Sequence, residues 1–365
     1  MTDHALTPRE RRLRRGLVAL AMACAVLVLV VIAVLVYWRL YLLGPSGDPF
    51  TRGPFVIRLD TTGAALAWSI EENSKVELTA AGPDGTVTAT GGRFTGLRPG
   101  TRYLWTASVG GIGRAAGSFR TAPLDLRDGV RFGVIGDYGS GNDHEWAVGR
   151  TLAAARPDFV TTAGDNSYLV GAPQVLDRNI FEPLHGVMLN APLWATEGEH
   201  DLIYSGGAAV TSALHLPGPR GRYVVHYGPV QLVLLGLEAG APELDFARRA
   251  LAEPGALVRF VVVHRPIQPG NPILPVLRRA GVAAILAGHL HRYERHVRGG
   301  VLQFTVGTGG EGAGSAAYTL ATPDAIVSFI AYGYLRIGIA GDRISYQFID
   351  QSGRVRDRVE QTIPG

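Results

Sequence analysis

Cysteine occurs once in the 365 residues, as Cys24, and lysine once, as Lys75. A single cysteine excludes an intramolecular disulfide, so any exported part of the chain is stable on packing alone. The lone lysine reads as codon bias rather than function. Sustained charge of one sign is also missing. The formal net charge is +4, and Met1 to Arg15 holds five arginines against Asp3 and Glu10, which accounts for +3 of it and leaves the remainder nearly neutral. No basic face is visible that would neutralise phosphates, so a nucleic-acid partner is not expected. Internal repeats and long low-complexity tracts are absent. With 47% hydrophobic residues the chain is not globally disordered, and its length allows more than one domain with a sizeable core.

What the sequence does have is one long apolar run. Gly16 to Trp38 is unbroken over about 23 residues, enough to cross a hydrocarbon core of roughly 30 Å as a helix. Arg9, Arg11, Arg12, Arg14 and Arg15 precede it and Arg39 alone follows closely. By the positive-inside rule this predicts a single-pass anchor in the cell membrane, with a cytoplasmic N-terminus and the rest of the chain outside the cytoplasm. A cleaved signal peptide is the rival reading. It is disfavoured because the run is long and no small-x-small site follows it before Arg39 to Leu43. Cys24 in LAMAC faintly suggests a lipoprotein box, yet the apolar run continues far beyond it.

Residues 39–52, with Gly, Pro and Ser, read as a linker. From Phe55 the pattern turns to short alternating segments: FVIRLD, ALAWSI, KVELTA, TVTAT, YLWTASV and GSFRT. Their spacing predicts a small β-sandwich over residues 53–123. At GLRPGTRYLWTASV followed by GSFRTAP the stretch resembles a fibronectin type III domain, with Trp68 as its core tryptophan and Tyr103 as its tyrosine corner. Both read as packing residues rather than a ligand site.

After a junction at Asp125 to Asp128 the composition changes again. The runs VRFGVIGD, DFVTTAGD, APLWATEGEH, VRFVVVHRP and AAILAGHLH are apolar until a carboxylate or imidazole arrives. They read as buried strands that carry chemistry at their tips, alternating with the helical segments HEWAVGRTLAAA, ELDFARRALAE and PILPVLRRA. VLQFTV follows as a strand, then YGYLRIGIAG and DRISYQFIDQSG as a final hairpin. In α/β sheets strand ends open into a shared crevice, where Asp137, Asp165 with Tyr168, Glu199 with His200, His264, and His289 with His291 are expected to converge. Carboxylates, a phenol and imidazoles without thiolate favour hard to borderline metals such as iron, manganese or zinc.

In this order GDYG at Gly136, GDNSY at Gly164, GEHD at Gly198, VVVH ending at His264 and GHLHRYER at Gly288 resemble the calcineurin-like metallophosphoesterases, and most of all the purple acid phosphatases. The resemblance implies an α/β fold, an αββα four-layer sandwich over residues 128–365. It implies two metal ions, Fe(3+) with Zn(2+), Mn(2+) or Fe(2+). The first would be held by Asp137, Asp165, Tyr168 and His291, and the second by Asp165, Glu199, His264 and His289, with Asp165 bridging. Tyr168 takes the place of the histidine that most of the superfamily carries in its first motif, where this chain has Tyr138 and Gly139. His200 is implied to face the substrate as a proton or hydrogen-bond donor. Asp201 is expected either to orient that imidazole or to cap a helix. Tyr293 and Glu294 read as packing or supporting residues, and Gly136, Gly139, Gly164, Gly198 and Gly288 as tight turns beside the metals.

One position departs from the pattern. The family's GNH motif supplies a carboxamide where this chain has Glu199. One extra negative charge ~4 Å from a phosphoryl group is worth about 4 kcal/mol at an effective dielectric near 20, or about three decades of rate if nothing offsets it. A more highly charged metal pair, a proton on the carboxyl, or a cation such as Arg265 or Arg292 can supply the offset. The expected function is an exported, membrane-anchored phosphomonoesterase that uses a metal-activated water on a small phosphate ester. The alternatives are a phosphodiesterase on the same scaffold, a surface binding or sensing protein impaired by Glu199, and an adhesion module. Loops 169–190 and 203–220 carry no legible substrate code, and nothing signals an oligomeric state.

Overall fold

The apolar N-terminal run forms one helix, α1 (Pro8–Leu43). Within it Leu17–Trp38 spans 22 residues, none of them buried. At 1.5 Å per residue that is ~33 Å, so among the described residues this helix is long and apolar enough to cross a membrane. The structure, a computed structural model, describes residues 8–43, 52–70, 75–109, 112–218, 221–312 and 320–364. The first seven residues of the basic tail and residues 44–51 of the expected linker lie outside these. Two units result, Met1–Pro45 and Ser46–Gly365.

The second unit begins with seven strands: β1 (Arg52–Leu59), β2 (Ala64–Ser69), β3 (Val76–Gly82), β4 (Gly85–Thr88), β5 (Arg93–Phe94), β6 (Arg102–Val109) and β7 (Ile112–Arg120). They pair antiparallel as two sheets, ordered β1-β2-β5 and β4-β3-β6-β7. Period-two alternation explains the inner face: along β6, Tyr103, Trp105 and Ala107 are buried while Arg102, Leu104 and Thr106 are exposed. The Tyr103 ring stacks on Phe119, and its hydroxyl accepts from the Arg98 amide at 2.9 Å. Trp68, expected as the core tryptophan, is only half-buried. Trp105 is the enclosed one at 1% exposure, because β6 is a central strand whose odd positions point inward. Its indole Nε1 donates to the Leu189 carbonyl at 2.9 Å, and Asn190 Oδ1 accepts from the Ser118 amide at 3.0 Å. The sandwich is thus bolted to the part that follows.

That part runs β8 (Val130–Ile135), α2 (Asp143–Ala154), β9 (Phe159–Thr162), α3 (His185–Met188), β10 (Leu193–Ala195), α4 (Glu199–Ile203) and α5 (Ala208–Ala213). It continues through β11 (Arg222–Tyr227), β12 (Val230–Leu235), α6 (Ala241–Ala252), β13 (Val258–Val263), α7 (Leu274–Arg279) and β14 (Val282–Ala287). It closes with β15 (Tyr293–Arg298), β16 (Val301–Val306), β17 (Val327–Phe329), β18 (Gly333–Ala340), β19 (Arg343–Asp350) and β20 (Val355–Thr362). One sheet is ordered β10-β9-β8-β18-β19-β20, the other β11-β12-β13-β14-β16-β15-β17. In the first sheet the β10-β9-β8 end is parallel and the rest antiparallel, and in the second the central strands β12-β13-β14-β16 are parallel.

The continuous apolar runs are explained by burial on both faces. In β12, β13 and β14, Leu232, Leu234, Phe260, Val262, Ala284 and Leu286 share one core with Phe132 of β8 and Tyr346 of β19. Their neighbours Val233, Leu235, Val261, Val263 and Ile285 pack in a second core with Ala247 and Leu251 of α6 and Leu277 of α7. Phe132 meets Phe260 edge-on at 5.2 Å between the two sheets. α2 is capped by Asn142, whose side chain accepts from His144 and Glu145 amides. The expected final hairpin is β18–β19, but β20 follows it as an edge strand. Its exposed, charge-rich pattern VRDRVEQT hides the strand period.

Trp105→Ala is expected to cost ~3–5 kcal/mol of unfolding free energy, and Trp68→Ala less than half as much, by denaturant titration of the full chain. Equal losses would contradict Trp105 as the core residue of the sandwich.

Candidate metal centre

The parallel strands all deliver their C-terminal ends to one place. Asp137 follows β8, Asp165 follows β9, Glu199 opens α4 just after β10, His264 follows β13, and His289 and His291 follow β14. The turns that carry them are tight. Asp137, Asp165 and His289 have φ of 54°, 49° and 69°, the left-handed region that non-glycine residues occupy only at a cost. A Cβ at Gly198 would stand 2.2 Å from Asp165 Oδ1, so only glycine lets these two loops close on each other.

Each aspartate is divided between backbone and site. Asp137 Oδ2 accepts from the His289 amide at 2.8 Å, leaving Oδ1 facing His291 Nε2 at 3.4 Å. Asp165 Oδ1 accepts from the His200 amide at 2.9 Å, leaving Oδ2 directed inward. Two donor clusters result. In one, the Tyr168 hydroxyl lies 3.4 Å from Asp137 Oδ1, 3.2 Å from His291 Nε2 and 3.2 Å from Asp165 Oδ2. In the other, Glu199 presents Oε2 2.8 Å from His264 Nε2 and Oε1 2.8 Å from His289 Nδ1, with Asp165 Oδ2 3.5 Å from His264 Nε2. Asp165 Oδ2 therefore borders both. Asp137, Asp165 and His264 also offer atoms within 4.8 Å of one another, as do Glu199, His264 and His289.

These separations fit metal ions. Ligands ~2.1 Å from a common ion stand about 3.0–3.4 Å apart in tetrahedral or octahedral arrangements. The imidazoles are set for the role, because His264 Nδ1 donates to the Ala163 carbonyl at 2.7 Å and His291 Nδ1 donates to the Gly312 carbonyl at 2.6 Å. Each ring is then fixed with Nε2, the nitrogen free to bind a metal, aimed at carboxylate oxygens. Two facing lone pairs at 2.8 Å repel unless a cation lies between them. His264 Nε2 and Glu199 Oε2, despite their closeness, make no hydrogen bond of normal geometry.

Protein groups alone supply that cation as a proton. Burial works against a charged His264, but Glu199, Asp137 and Asp165 overcome it and hold its pKa up at about 10. Burial likewise opposes ionisation of Glu199, yet contacts from His264 and His289 hold its carboxyl far below the ordinary range. The Tyr168 phenol is pushed well up, first by burial and then by Asp137 and Asp165. Phenolate at this position therefore requires a strongly charged cation in the first cluster.

His200 lies beside the clusters, half-buried, its ring 4.3 Å from the Tyr168 ring. Its Nδ1 donates to the Leu169 carbonyl at 2.7 Å, so the imidazole is oriented by Leu169 and not by Asp201. Asp201 instead accepts from the amides of Gly198, Asn166 and Ser167 and from Asn166 Nδ2 at 2.8–3.1 Å. It clips the loop carrying Asp165 to the loop carrying Glu199. Burial, with Asp165 nearby, pushes its pKa up to about 7 against those donors. Asn166, next to a ligand candidate in GDNSY, was not singled out from sequence although it also binds the Tyr138 hydroxyl and the Thr196 carbonyl. Arg265 Nε stands 3.7 Å from Glu199. Arg292 is buried, donating to Ser328 and paired with Glu294 at 3.1 Å. Glu294 also accepts from Thr322, and Tyr293 donates to Asp357 at 2.8 Å.

Residues 130–293 match the calcineurin-like phosphoesterase family, and every residue of the two clusters lies inside that span. The matched domain supports a metal-dependent phosphoester hydrolase. The purple acid phosphatase PPD1 from yellow lupin (Lupinus luteus) seeds has a similar fold, with a TM-score of 0.70 at 15% identity over 86% of this chain and 75% of that one. PhoD gives 0.63 at 13% identity over 88% of this chain and 91% of that one. GAP50, described as the anchor in the inner membrane complex of Plasmodium, gives 0.52 at 16% identity over 65% and 90%. No curated protein matches the chain.

Asp201→Ala strands several buried amides at once and is expected to lower unfolding free energy by about 3 kcal/mol. Asp201→Asn, which keeps one acceptor oxygen, should lose less. A loss below about 0.5 kcal/mol in denaturant titration would contradict the clip.

Proposed function

We propose that this chain hydrolyses phosphomonoesters at a binuclear metal centre of the purple acid phosphatase type. The observation that carries the reading is Asp165 Oδ2, which lies 3.2 Å from the phenol of one donor cluster and 3.5 Å from the imidazole of the other. A shared carboxylate offsets the mutual repulsion of two cations and fixes their spacing. Asp137, Asp165, Tyr168 and His291 would hold a ferric ion, the hardest donors meeting the highest charge. Asp165, Glu199, His264 and His289 would hold zinc, manganese or ferrous iron. Bound there, the pair supplies Lewis-acid polarisation of phosphoryl oxygens and a water of lowered pKa.

The chain's own groups supply the rest. With Nδ1 tied to Leu169, His200 meets a substrate through Nε2, and as an imidazolium it donates there to a phosphoryl or leaving-group oxygen. Asp201 keeps the His200 and Asp165 loops in register. The same reading takes the two large sheets and their helices as the αββα sandwich, over residues 128–365. The seven N-terminal strands are taken as a fibronectin type III-like module. The likeness to PPD1 covers 86% of the chain, whereas residues 128–365 are only about two thirds of it. Helix α1 would anchor the protein in the cell membrane, with the arginine-rich end cytoplasmic and the metal centre outside.

A second reading, a phosphodiesterase on the same scaffold, is favoured by a cleft of about 530 Å³ beside His289, with room for a second ester substituent. Turnover of an aryl phosphomonoester and a bis-aryl phosphodiester by protein loaded with iron plus zinc or manganese separates the two. Asp165→Asn is expected to lower kcat at least ~100-fold and to reduce bound metal. Metal bound without turnover of either ester would sink both readings and leave a binding or sensing role.

A further inference from the structure

Arg265 stands between two carboxylates at the edge of the cleft. Its Nε is 3.7 Å from Glu199 Oε2 and its Nη1 is 3.7 Å from Glu238 Oε2. Both contacts are looser than a bidentate fork, and the side chain is 44% exposed, so the guanidinium is not committed to either partner. Its backbone is firmly placed. The Arg265 amide donates to the Leu237 carbonyl at 2.8 Å, directly after β13 and the ligand candidate His264. The cleft of about 530 Å³ is lined by Arg265, Glu238, Ala239, Ile267, His289 and Leu290 among others. Arg265 and His289 thus line the same cleft.

Glu199 makes this position consequential. It adds a carboxylate where the second cluster would receive a phosphoryl group, 2.8 Å from both His264 and His289. The other arginine that could offset it, Arg292, is 5% exposed and engaged with Glu294 and Ser328. We propose that Arg265 is the substrate-positioning residue of this centre, a cation shared between Glu199 and the incoming phosphate, so that phosphate binding depends on Arg265 because Glu199 is present. The inference rests on the metallophosphoesterase reading above. It explains how the glutamate is tolerated, and it assigns selection for a dianionic phosphoryl group to an arginine outside the metal ligands.

The test is a double-mutant cycle on the metal-loaded full chain, with the dissociation constant of inorganic phosphate and the bound metal per chain measured for each variant. Arg265→Gln is expected to weaken phosphate ~10-fold with metal content unchanged, and Arg265→Lys to recover most of that loss. In the Glu199→Gln background the same Arg265→Gln change should cost less than ~2-fold. KM for a monoester should follow the phosphate affinity while kcat moves less. Equal losses in both backgrounds would overturn the inference, as would no loss or a loss of metal in Arg265→Gln. Failure of the unmutated chain to bind metal and phosphate would instead remove the reading beneath it, and the inference with it.

Discussion

Three carboxylates and a phenol turn toward one another within a few ångströms, and only positive charge can hold them there. Asp137, Asp165, Glu199 and Tyr168 are buried or half-buried, so water cannot screen their repulsion as it would on the surface. The histidines supply part of the answer. Carbonyls behind His264 and His291 fix the rings so that their Nε2 atoms face inward. The left-handed backbone of Asp137, Asp165 and His289 shows what the fold accepts in order to aim these atoms. Strain, desolvated charge and oriented ring nitrogens all have the same remedy, which is positive charge in the site.

The rest of the molecule reads as support for that arrangement. Parallel strands buried on both faces give rigid tips, and the loops beyond them are joined across the site by backbone-to-carboxylate hydrogen bonds. Asp201 joins the Asp165 and Glu199 loops, and Asp137 joins the β8 and β14 ends. The N-terminal sandwich contributes from outside. Trp105 and Ser118 grip Leu189 and Asn190, just ahead of the short strand β10 that leads to Glu199. Through those contacts the small sandwich steadies one wall of the site.

Much of this was legible in the residues alone. Five apolar runs ending in Asp, Glu or His became β8, β9, β10, β13 and β14, because strands buried on both faces have no polar positions to blur them. The seven ligand candidates and His200 could be ordered from their motifs. What escaped were features that depend on tertiary context. β20 is charged along its length and β5 is two residues long, so neither carries a periodic signal. Trp68 and Trp105 both sit in strand patterns, and only the pairing of sheets decides which is enclosed. The Asp201 and Leu169 partnerships cross loops distant in sequence, and nothing local announces them. Of the two arginines that could offset Glu199, the choice between Arg265 and Arg292 needed the side chains in place.

X-ray diffraction across the iron and zinc absorption edges, on crystals of the protein loaded with both metals, addresses the central claim directly. The account predicts two anomalous peaks, iron against Tyr168 and His291 and zinc against Glu199, His264 and His289, with Asp165 between them. A single peak, or two peaks that do not share Asp165, would contradict it.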